Sequence, residues 1–391
     1  MAQTVSCTRA GDLLHVTRSG PVEIAAIDQT WARLWREALS VDDTLERAPT
    51  TRACLWNLLV MGDGGQMPAH DNLTRHNATP SRDRLQALLD EVTRSVPARV
   101  IRLETAALDS GREVEAHIAC NGLLRNGAAL VCAEQVTLRG NGADGARHFP
   151  SLVRALKVPD LPVALLWLHE LPRKSRLLGE LVGLSNRVVV DTHSTLDEMA
   201  LPALQALSGS LRSLTDIGWM RITPVRYMLA SLFDAPGHAE LLRRVERIRI
   251  EAAPAGRPAA FLLAGWLLGQ CGYSTVKAVP VPDAQTVYRW NVRAGDGAFP
   301  LDFGEREAEG GVDHLLSVEI HAGGTRFALS QVDIEHVCLD SPLHEGHRLA
   351  LHGWDTAELL VAALGLGHAD ALYPKALALA AQLADAEAWN R

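Results

Sequence analysis

The stretch from residue 149 to residue 191 constrains the fold more than any other part of the chain. Within it, Val163–Leu168 is apolar at every position, which is typical of a strand buried on both faces. A helical spacing of apolar residues follows over Leu177–Val182, and a second short run lies at Arg187–Val190. Because strand, helix and strand in this order pack as a right-handed crossover onto one parallel sheet, we expect an α/β fold.

The length and composition of the chain restrict its class. At 391 residues it is long enough for two domains, and a hydrophobic fraction of 47% favours globular folding. The formal net charge of −8 disfavours nucleic acid or an anionic membrane as a partner. The sequence has no apolar run of the roughly 18 residues that a membrane-spanning helix needs, and no apolar core of a signal peptide. We therefore expect a soluble, cytoplasmic protein without a membrane or nucleic-acid partner.

Two different patterns divide the chain into two predicted α/β domains. The first, residues 1–195, combines amphipathic helices with apolar strands and should contain a mainly parallel sheet. The second, residues 196–391, starts with helical segments, continues as alternating strands over Thr275–Leu339 and ends in helices rich in alanine and leucine. The glycine-containing turns between those strands predict an antiparallel meander. We place the boundary near His193–Leu196, with Asp234–His238 as the alternative.

The spacing of cysteine and histidine does not favour a metal or redox centre. The six cysteines contain no C-x-x-C pair, so in a cytoplasmic protein we expect them to be reduced. His344, Glu345 and His347 spell H-E-G-H, whereas a helical zinc-protease site needs two histidines one helical turn apart. We interpret this segment as a solvated loop and expect no metal.

A second motif, Gly140–Gly145, reads G-N-G-A-D-G and matches the letters of a dinucleotide-binding loop. In such a loop the third glycine opens a helix whose N-terminus meets the pyrophosphate. Here Pro150 delays the next predicted helix, and the motif does not follow the first strand of its domain. The spacing favours a glycine-rich surface loop, and we predict no bound cofactor.

The segment D-I-G-W-M-R-I-T-P-V-R, residues 216–226, is the best candidate binding site. Thr223 and the proline after it are well suited to begin a helix, so Arg226 should lie in its first turn. Arg221 and Arg226 could then hold one carboxylate or phosphate between two guanidinium groups, beside Trp219.

The alternative is structural rather than functional. Arg221 and Arg226 could form internal ion pairs with a nearby carboxylate, that of Asp216 or of Asp234. The sequence alone leaves both interpretations open.

Four blocks of the sequence together resemble the OpcA family. They are Ser95–Leu103, Asp160–Pro172, Asp216–Asp234 and Leu262–Tyr273, and their order and spacing agree with that family. Its members are glucose-6-phosphate dehydrogenase assembly proteins, also described as allosteric effectors of that enzyme. The resemblance implies a non-enzymatic partner of glucose-6-phosphate dehydrogenase, without a cofactor, in the oxidative pentose phosphate pathway.

The sequence departs from the family pattern in places. The family usually shows H-P-S-R where this chain reads V-P-A-R, ending at Arg99, and a second tryptophan is common where Val225 stands. The closely spaced C-terminal cysteines of redox-responsive members have no counterpart after Cys338. We therefore expect no redox regulation of this chain.

Two other functions remain open from the sequence. A sugar-phosphate- or nucleotide-binding enzyme or sensor would use Arg99, Arg221 and Arg226 as anion ligands, with Gly140–Gly145 near the phosphate. A structural protein with another target would need none of these groups. The candidate binding residues are thus Arg99, Trp219, Arg221 and Arg226, and the sequence does not identify a metabolite ligand.

Overall fold

The computed structural model describes most of the chain. The residues that it describes are 5–10, 13–18, 23–40, 51–52, 54–62, 81–108, 110–125, 128–168, 175–194, 200–209, 211–281, 286–295, 297–307, 315–333, 335–342, 344–351, 353–367 and 370–388. Within these ranges, no helix has both the length and the apolar character that crossing a membrane requires.

Strands and helices alternate in the first half of the chain, and strands dominate the second half before two closing helices. The strands are β1 (Val5–Ala10), β2 (Leu13–Arg18), β3 (Thr51–Arg52), β4 (Trp56–Met61), β5 (Ala98–Ala106), β6 (Val114–Arg125), β7 (Ala128–Asn141), β8 (Val163–Trp167), β9 (Arg187–Val190), β10 (Leu214–Asp216), β11 (Val245–Ala252), β12 (Ser274–Ala278), β13 (Tyr288–Ala294), β14 (Gly297–Glu305), β15 (Leu315–Ala322), β16 (Thr325–Asp333), β17 (His336–Ser341) and β18 (His344–Ala350). The α-helices are α1 (Ile27–Ser40), α2 (Ser81–Ser95), α3 (Gly142–Ala146), α4 (Phe149–Leu156), α5 (Arg176–Leu184), α6 (Ala200–Ser208), α7 (Ile217–Arg221), α8 (Thr223–Ser231), α9 (His238–Leu241), α10 (Arg257–Cys271), α11 (Thr356–Gly365) and α12 (Tyr373–Ala388).

The chain divides into two compact units, each built from several segments. The N-terminal unit comprises Met1–Val190, Arg212–Thr215 and Thr356–Gly367. The C-terminal unit comprises Asp191–Leu211, Asp216–Asp355 and His368–Arg391. The domain boundary near His193–Leu196 stays a prediction, because compactness does not test which parts of a chain fold independently.

The N-terminal unit is organised around a ten-stranded sheet in the order β1-β2-β6-β7-β5-β4-β8-β9-β10, with β3 beside β7. The pairs β7-β5, β5-β4, β4-β8 and β8-β9 are parallel, whereas β1-β2, β2-β6 and β6-β7 are antiparallel. In chain order the five parallel strands read 3-2-1-4-5, the order found in doubly wound sheets. The fully buried strands β8 and β9, with α5 between them, confirm the crossover predicted from the sequence.

A helix from near the end of the sequence also belongs to the N-terminal unit. Helix α11 packs against α2. Arg187, the first residue of β9, donates hydrogen bonds to the carbonyl oxygens of Ala363 and Leu366 at the end of α11. The last carbonyl groups of a helix lack the N–H partners of a further turn, so the guanidinium group helps to close this helix end. Local sequence patterns could not predict this long-range contact.

The C-terminal unit contains an eight-stranded sheet in the order β12-β13-β14-β11-β15-β16-β17-β18. As far as its strands are described, the neighbours are antiparallel apart from the parallel pair β11-β14. Helix α10 is buried along most of its length and packs against α12. Its Phe261 ring lies edge-on to Trp290 and Phe303, at centroid distances of 5.5 and 5.8 Å. These aromatic contacts join the helix layer to the sheet.

The structure confirms the predicted α/β class, with a mainly parallel first sheet and a mainly antiparallel second one. Two local predictions were wrong. The mostly apolar run Arg52–Met61 predicts one strand, but it contributes to two, β3 and β4. The segment that begins at His344 is not a loop but strand β18, which pairs with β17 at the sheet edge. The glycine-rich and polar sequence from Gly62 to Pro80 predicts a long loop, and all of it after Gly62 lies outside the described residues.

The interpretation of Gly140–Gly145 as a surface loop was also wrong. Gly140 lies in β7, and the short helix α3 begins two residues later. A Cβ atom at Gly145 would lie 2.2 Å from the carbonyl oxygen of Glu113, which no side chain tolerates. The glycine at residue 145 therefore permits close backbone packing within the N-terminal unit.

Candidate binding site

Asp216 ends strand β10 and caps helix α7 with its side chain. Its Oδ1 atom accepts hydrogen bonds from the backbone N–H groups of Gly218 at 2.9 Å and Thr192 at 3.1 Å. Its Oδ2 atom accepts from the hydroxyl groups of Thr192 and Tyr373, both at 3.0 Å. Burial, reinforced by the nearby charge of Asp191, raises the pKa of Asp216 to about 6 against the opposing effect of these donors. We call Thr192, Asp216, Gly218 and Tyr373 the Asp216 network.

The Asp216 network connects three segments that are distant in the sequence. Thr192 lies in a 3-10 turn, Gly218 in the first turn of α7 and Tyr373 at the start of α12. A Cβ atom at residue 218 would lie only 2.2 Å from the Thr192 hydroxyl oxygen. Glycine at this position is therefore a steric requirement for the turn to approach the carboxylate.

Trp219 lies beside this network and is only 2% exposed. Its indole N–H donates a 2.7 Å hydrogen bond to Oδ2 of Asp370. One face of its ring is in contact with Arg226, whose guanidinium carbon lies 3.5 Å from the ring centroid. The Tyr373 ring is tilted against it at a centroid distance of 5.5 Å. We call Trp219, Arg226 and Asp370 the Trp219 stack.

Arg226 is a buried cation held by neutral groups. The residue is 8% exposed, and Nη2 donates a 2.7 Å hydrogen bond to the Thr223 hydroxyl one helical turn earlier. Burial lowers the pKa of Arg226 to about 10, while the charge of Asp370 acts in the opposite direction. The side chain is still protonated at neutral pH. The Trp219 ring face therefore supplies part of the stabilisation that water would otherwise give.

Arg221 has a different partner from those that the sequence suggested. Its Nη2 atom lies 3.4 Å from Oδ2 of Asp191, and the two form an ion pair. The other oxygen of Asp191 accepts a hydrogen bond from the backbone N–H of His193 at 3.0 Å. Arg221 is thus tied to the chain segment that also carries the Thr192 part of the Asp216 network.

Arg99 belongs to the N-terminal unit, whereas the other three candidates belong to the C-terminal unit. Its guanidinium group binds Glu134 at 2.6 Å and Asp28 at 3.3 Å, and donates to the Leu156 carbonyl oxygen at 3.0 Å. It also stacks on Trp31 at 4.6 Å from the ring centroid. Each of these contacts is internal to the N-terminal unit.

The structure therefore brings together two of the four candidates, Trp219 and Arg226. Sequence reasoning missed three participants, Thr192, Asp370 and Tyr373, because they come from other parts of the chain. One signal was available for Asp216, since an aspartate followed by Ile217 and Gly218 suits a helix N-cap. Nothing in the sequence showed which distant groups would meet it.

The described part of the chain contains no group of three or more His, Cys, Asp or Glu side chains that could hold a metal ion. The carboxylate of the Asp216 network accepts hydrogen bonds on both oxygens, and in the Trp219 stack Arg226 is held by one hydroxyl group and a ring face. These contacts fix the orientation of the backbone and of the aromatic rings, and they can therefore hold neighbouring surface side chains in place.

Two family models match the chain in succession. The first, described as the N-terminal domain of the glucose-6-phosphate dehydrogenase subunit, matches residues 89–206. The second describes the C-terminal domain of the same glucose-6-phosphate dehydrogenase subunit and matches residues 212–377. This two-unit α/β chain is thus of the class that carries this pair of dehydrogenase-associated domains. It belongs to the OpcA family.

Cyanobacterial relatives carry the same family name. The OxPP cycle protein OpcA of Nostoc punctiforme is 26% identical over 191 residues, which are 48% of this chain and 41% of that protein. The OxPP cycle protein OpcA of Synechocystis sp. is 23% identical over 204 residues, or 52% of this chain and 43% of that one. The chain thus spans about two fifths of the length of these curated relatives.

The solved structures that match the chain are distant in sequence. An NAD binding oxidoreductase from Klebsiella pneumoniae has a TM-score of 0.47 at 11% identity, covering 86% of this chain and 96% of that one. An oxidoreductase from Thermotoga maritima has a TM-score of 0.45 at 10% identity, covering 85% and 97%. These similarities carry no argument about activity.

Proposed function

We propose that this protein binds glucose-6-phosphate dehydrogenase and promotes its assembly or its active conformation, without catalysing a reaction itself. The observation that carries the proposal is the succession of two dehydrogenase-associated domains over most of the chain. The names of the cyanobacterial relatives place them in the oxidative pentose phosphate cycle, which agrees with such a role.

The physical basis of the proposed effect is linkage. A partner that binds one conformer or one oligomer of an enzyme more tightly shifts the population toward that form by its difference in affinity. Such a protein needs a rigid surface of its own but no nucleophile or cofactor. The internal contacts of the Asp216 network and the Trp219 stack fit a supporting role of this kind.

The direct test is a titration of glucose-6-phosphate dehydrogenase from the same source with the purified chain. We expect a stable complex in analytical ultracentrifugation and a saturable change in dehydrogenase activity at the same stoichiometry. The chain alone should not oxidise glucose 6-phosphate with NADP or NAD. Absence of a complex at micromolar concentrations, together with unchanged kinetics, would contradict the proposal.

The small-molecule alternative makes a different prediction. A glucose 6-phosphate, 6-phosphogluconate or NADP site would raise the thermal stability of the isolated chain, by about 2.7 kcal/mol at a hundred times the dissociation constant. Arg99 is already bound by two carboxylates, and Arg221 by one, so neither guanidinium group is free for an anion without losing an ion pair. We expect a flat thermal-shift response, and a ligand-dependent rise would favour the alternative.

A further inference from the structure

The chain passes from the N-terminal unit into the C-terminal unit after Val190, after Thr215 and after Gly367. The parts of the N-terminal unit that precede these crossings contain strand β9, most of strand β10 and helix α11. The three elements come from distant parts of the sequence. Whether the crossings act independently is decided by the contacts on either side of them.

On the N-terminal side of the crossings, β9 is bonded to both other elements. The backbone N–H of Val188 donates a 2.9 Å hydrogen bond to the carbonyl oxygen of Ser213, next to β10. Arg187 donates to the carbonyl oxygens of Ala363 and Leu366 at the end of α11. Groups within a few residues of each crossing are thus joined to one another inside the N-terminal unit.

On the other side, the residues that follow the crossings are joined in a similar way inside the C-terminal unit. Asp216 accepts hydrogen bonds from the Thr192 and Tyr373 hydroxyl groups, both at 3.0 Å. The Trp219 indole N–H binds Asp370 at 2.7 Å, and the centroids of the Trp219 and Tyr373 rings lie 5.5 Å apart. The Asp216 network and the Trp219 stack therefore join the starts of the three segments that enter the C-terminal unit.

The connections between these two groups of contacts are short. They run from Val188 to Thr192, from Ser213 to Asp216 and from Leu366 to Asp370. A chain segment whose far end is fixed loses less conformational entropy when it docks than a segment whose far end is free. The docking of α11 in the N-terminal unit therefore depends on the contacts of Asp370 and Tyr373 as well as on its cap by Arg187.

We propose that this arrangement couples the two units through the chain itself. Loosening the Asp216 network or the Trp219 stack in the C-terminal unit loosens α11 and β10 in the N-terminal unit, and because linkage is reciprocal the reverse also holds. This coupling does not depend on the identity of a partner. Under the proposed function, a dehydrogenase bound to one unit would also affect the other unit through it.

The first test removes one hydroxyl group on the C-terminal side. In the full chain, Tyr373→Phe deletes the hydrogen bond to Asp216 and should raise amide hydrogen exchange in peptides from α11 about tenfold. The matched control is Tyr273→Phe, which deletes the hydrogen bond from another buried tyrosine of the same unit to the carbonyl oxygen of Leu242. It should leave exchange in α11 within about two-fold. Hydrogen exchange followed by mass spectrometry measures both variants.

The second test starts on the N-terminal side and measures the reverse effect. Arg187→Gln removes the cap of α11 and should raise exchange about tenfold in peptides that contain the backbone N–H groups of Thr192 and Gly218 in the Asp216 network. The matched control is Arg176→Gln, because Arg176 lies in the same unit in an exposed ion pair with Glu180. Unchanged exchange of these peptides in Arg187→Gln would contradict the reciprocity and overturn the proposal.

The remaining outcomes of the first test are equally decisive. Unchanged exchange of α11 in Tyr373→Phe, or an equal rise in Tyr273→Phe, would overturn the proposal. A uniform rise over both units, with β6 and β7 included, would show a general loss of stability and overturn it as well. A rise in α11 and β10 beside unchanged β6 and β7 supports it. If Tyr373→Phe does not fold, Thr192→Val removes another donor to Asp216 and takes its place with the same expectation.

Discussion

Each of the two units contains an arginine stacked on a tryptophan, but the two arginines are neutralised in different ways. In the N-terminal unit, Arg99 lies 4.6 Å from the Trp31 ring centroid and forms direct ion pairs with Glu134 and Asp28. A guanidinium group with two carboxylate partners keeps part of the electrostatic stabilisation of its charge if one contact is lost. The stack with Trp31 is thus one contact among several.

In the C-terminal unit, Arg226 lies closer to its ring, 3.5 Å from the centroid of Trp219. The nearby carboxylate of Asp370 binds the indole N–H instead of the guanidinium group. No carboxylate in the described part of the chain forms an ion pair with Arg226. The Trp219 ring, whose N–H is bound to Asp370, therefore stabilises the positive charge of Arg226 in place of a direct ion pair. The same pair of residue types therefore contributes differently to stability in the two units. A buried charge with few partners is destabilised more when one contact is removed than a charge with several partners.

The largest expected effect comes from removing the two rings. Trp219→Ala should lower the free energy of unfolding by about 4–5 kcal/mol, at the upper end of the range for buried aromatic residues. It leaves both a cavity and an uncompensated Arg226. Trp31→Ala should cost about 3 kcal/mol, because Arg99 keeps its ion pairs. Urea denaturation followed by circular dichroism measures both, and an equal or larger loss in Trp31→Ala would break the comparison.

The second expected effect concerns the buried carboxylate beside the Trp219 stack. The pKa of Asp216 is about 6 in the folded protein, against 3.8 ordinarily, so the folded state binds more protons between these values. Its contribution to stability is therefore full below about pH 4 and is lost as the pH rises through 6. A difference of about two pKa units corresponds to roughly 3 kcal/mol.

Asp216→Asn should remove this part of the pH dependence. The measurement is the urea midpoint at pH values from 4 to 7 in the wild type and the variant. The difference between the two curves should change between about pH 4 and pH 6 and level off as the pH approaches 7. Asp234→Asn, at an exposed position, is the control and should follow the wild type. Parallel curves for the wild type and Asp216→Asn would show that the carboxylate titrates normally.

A smaller effect should follow from changing the carboxylates that stabilise each stack. Asp370→Asn removes the charge but keeps an acceptor for the Trp219 N–H, and it should cost about 1–2 kcal/mol, the difference between a charged and a neutral hydrogen bond. Glu134→Gln should cost about 1 kcal/mol or less, since Arg99 retains Asp28 and the Leu156 carbonyl oxygen. Thermal melting of both variants decides the order, and a larger loss in Glu134→Gln would reverse it.

The sequence predicted the local part of this architecture well. Short apolar runs identified β8 and β9. The apolar run Pro258–Cys271, followed by Gly272, likewise predicts the buried helix that is observed as α10. The sequence could not predict the parallel pairing of β11 with β14 or the presence of α11 in the N-terminal unit. Both depend on contacts between distant segments, which periodicity does not encode.

The candidate site shows the same division. The residue types in residues 216–226 indicated the importance of Trp219 and Arg226, and the structure brings these two together. Their burial and their dependence on Asp370 were not predictable, because Asp370 lies about 150 residues further along the chain. The exposure of Tyr227 could not be predicted from the sequence either, because tertiary packing decides whether a helix position faces the solvent or the core.

The last test measures the coupling between each ring and its arginine directly. A double-mutant cycle with Trp219→Leu and Arg226→Met replaces the ring and the charge with smaller apolar side chains. The coupling energy should be about 2 kcal/mol for this desolvated pair and about 0.5–1 kcal/mol for Trp31→Leu with Arg99→Met. Since the Asp370 carboxylate increases electron density on the indole, the coupling between Trp219 and Arg226 should decrease in an Asp370→Asn background. Equal coupling energies in both backgrounds would mean that the ring stabilises Arg226 independently of Asp370. The expected effect of the Asp370 carboxylate on Arg226 through the indole ring would then be wrong.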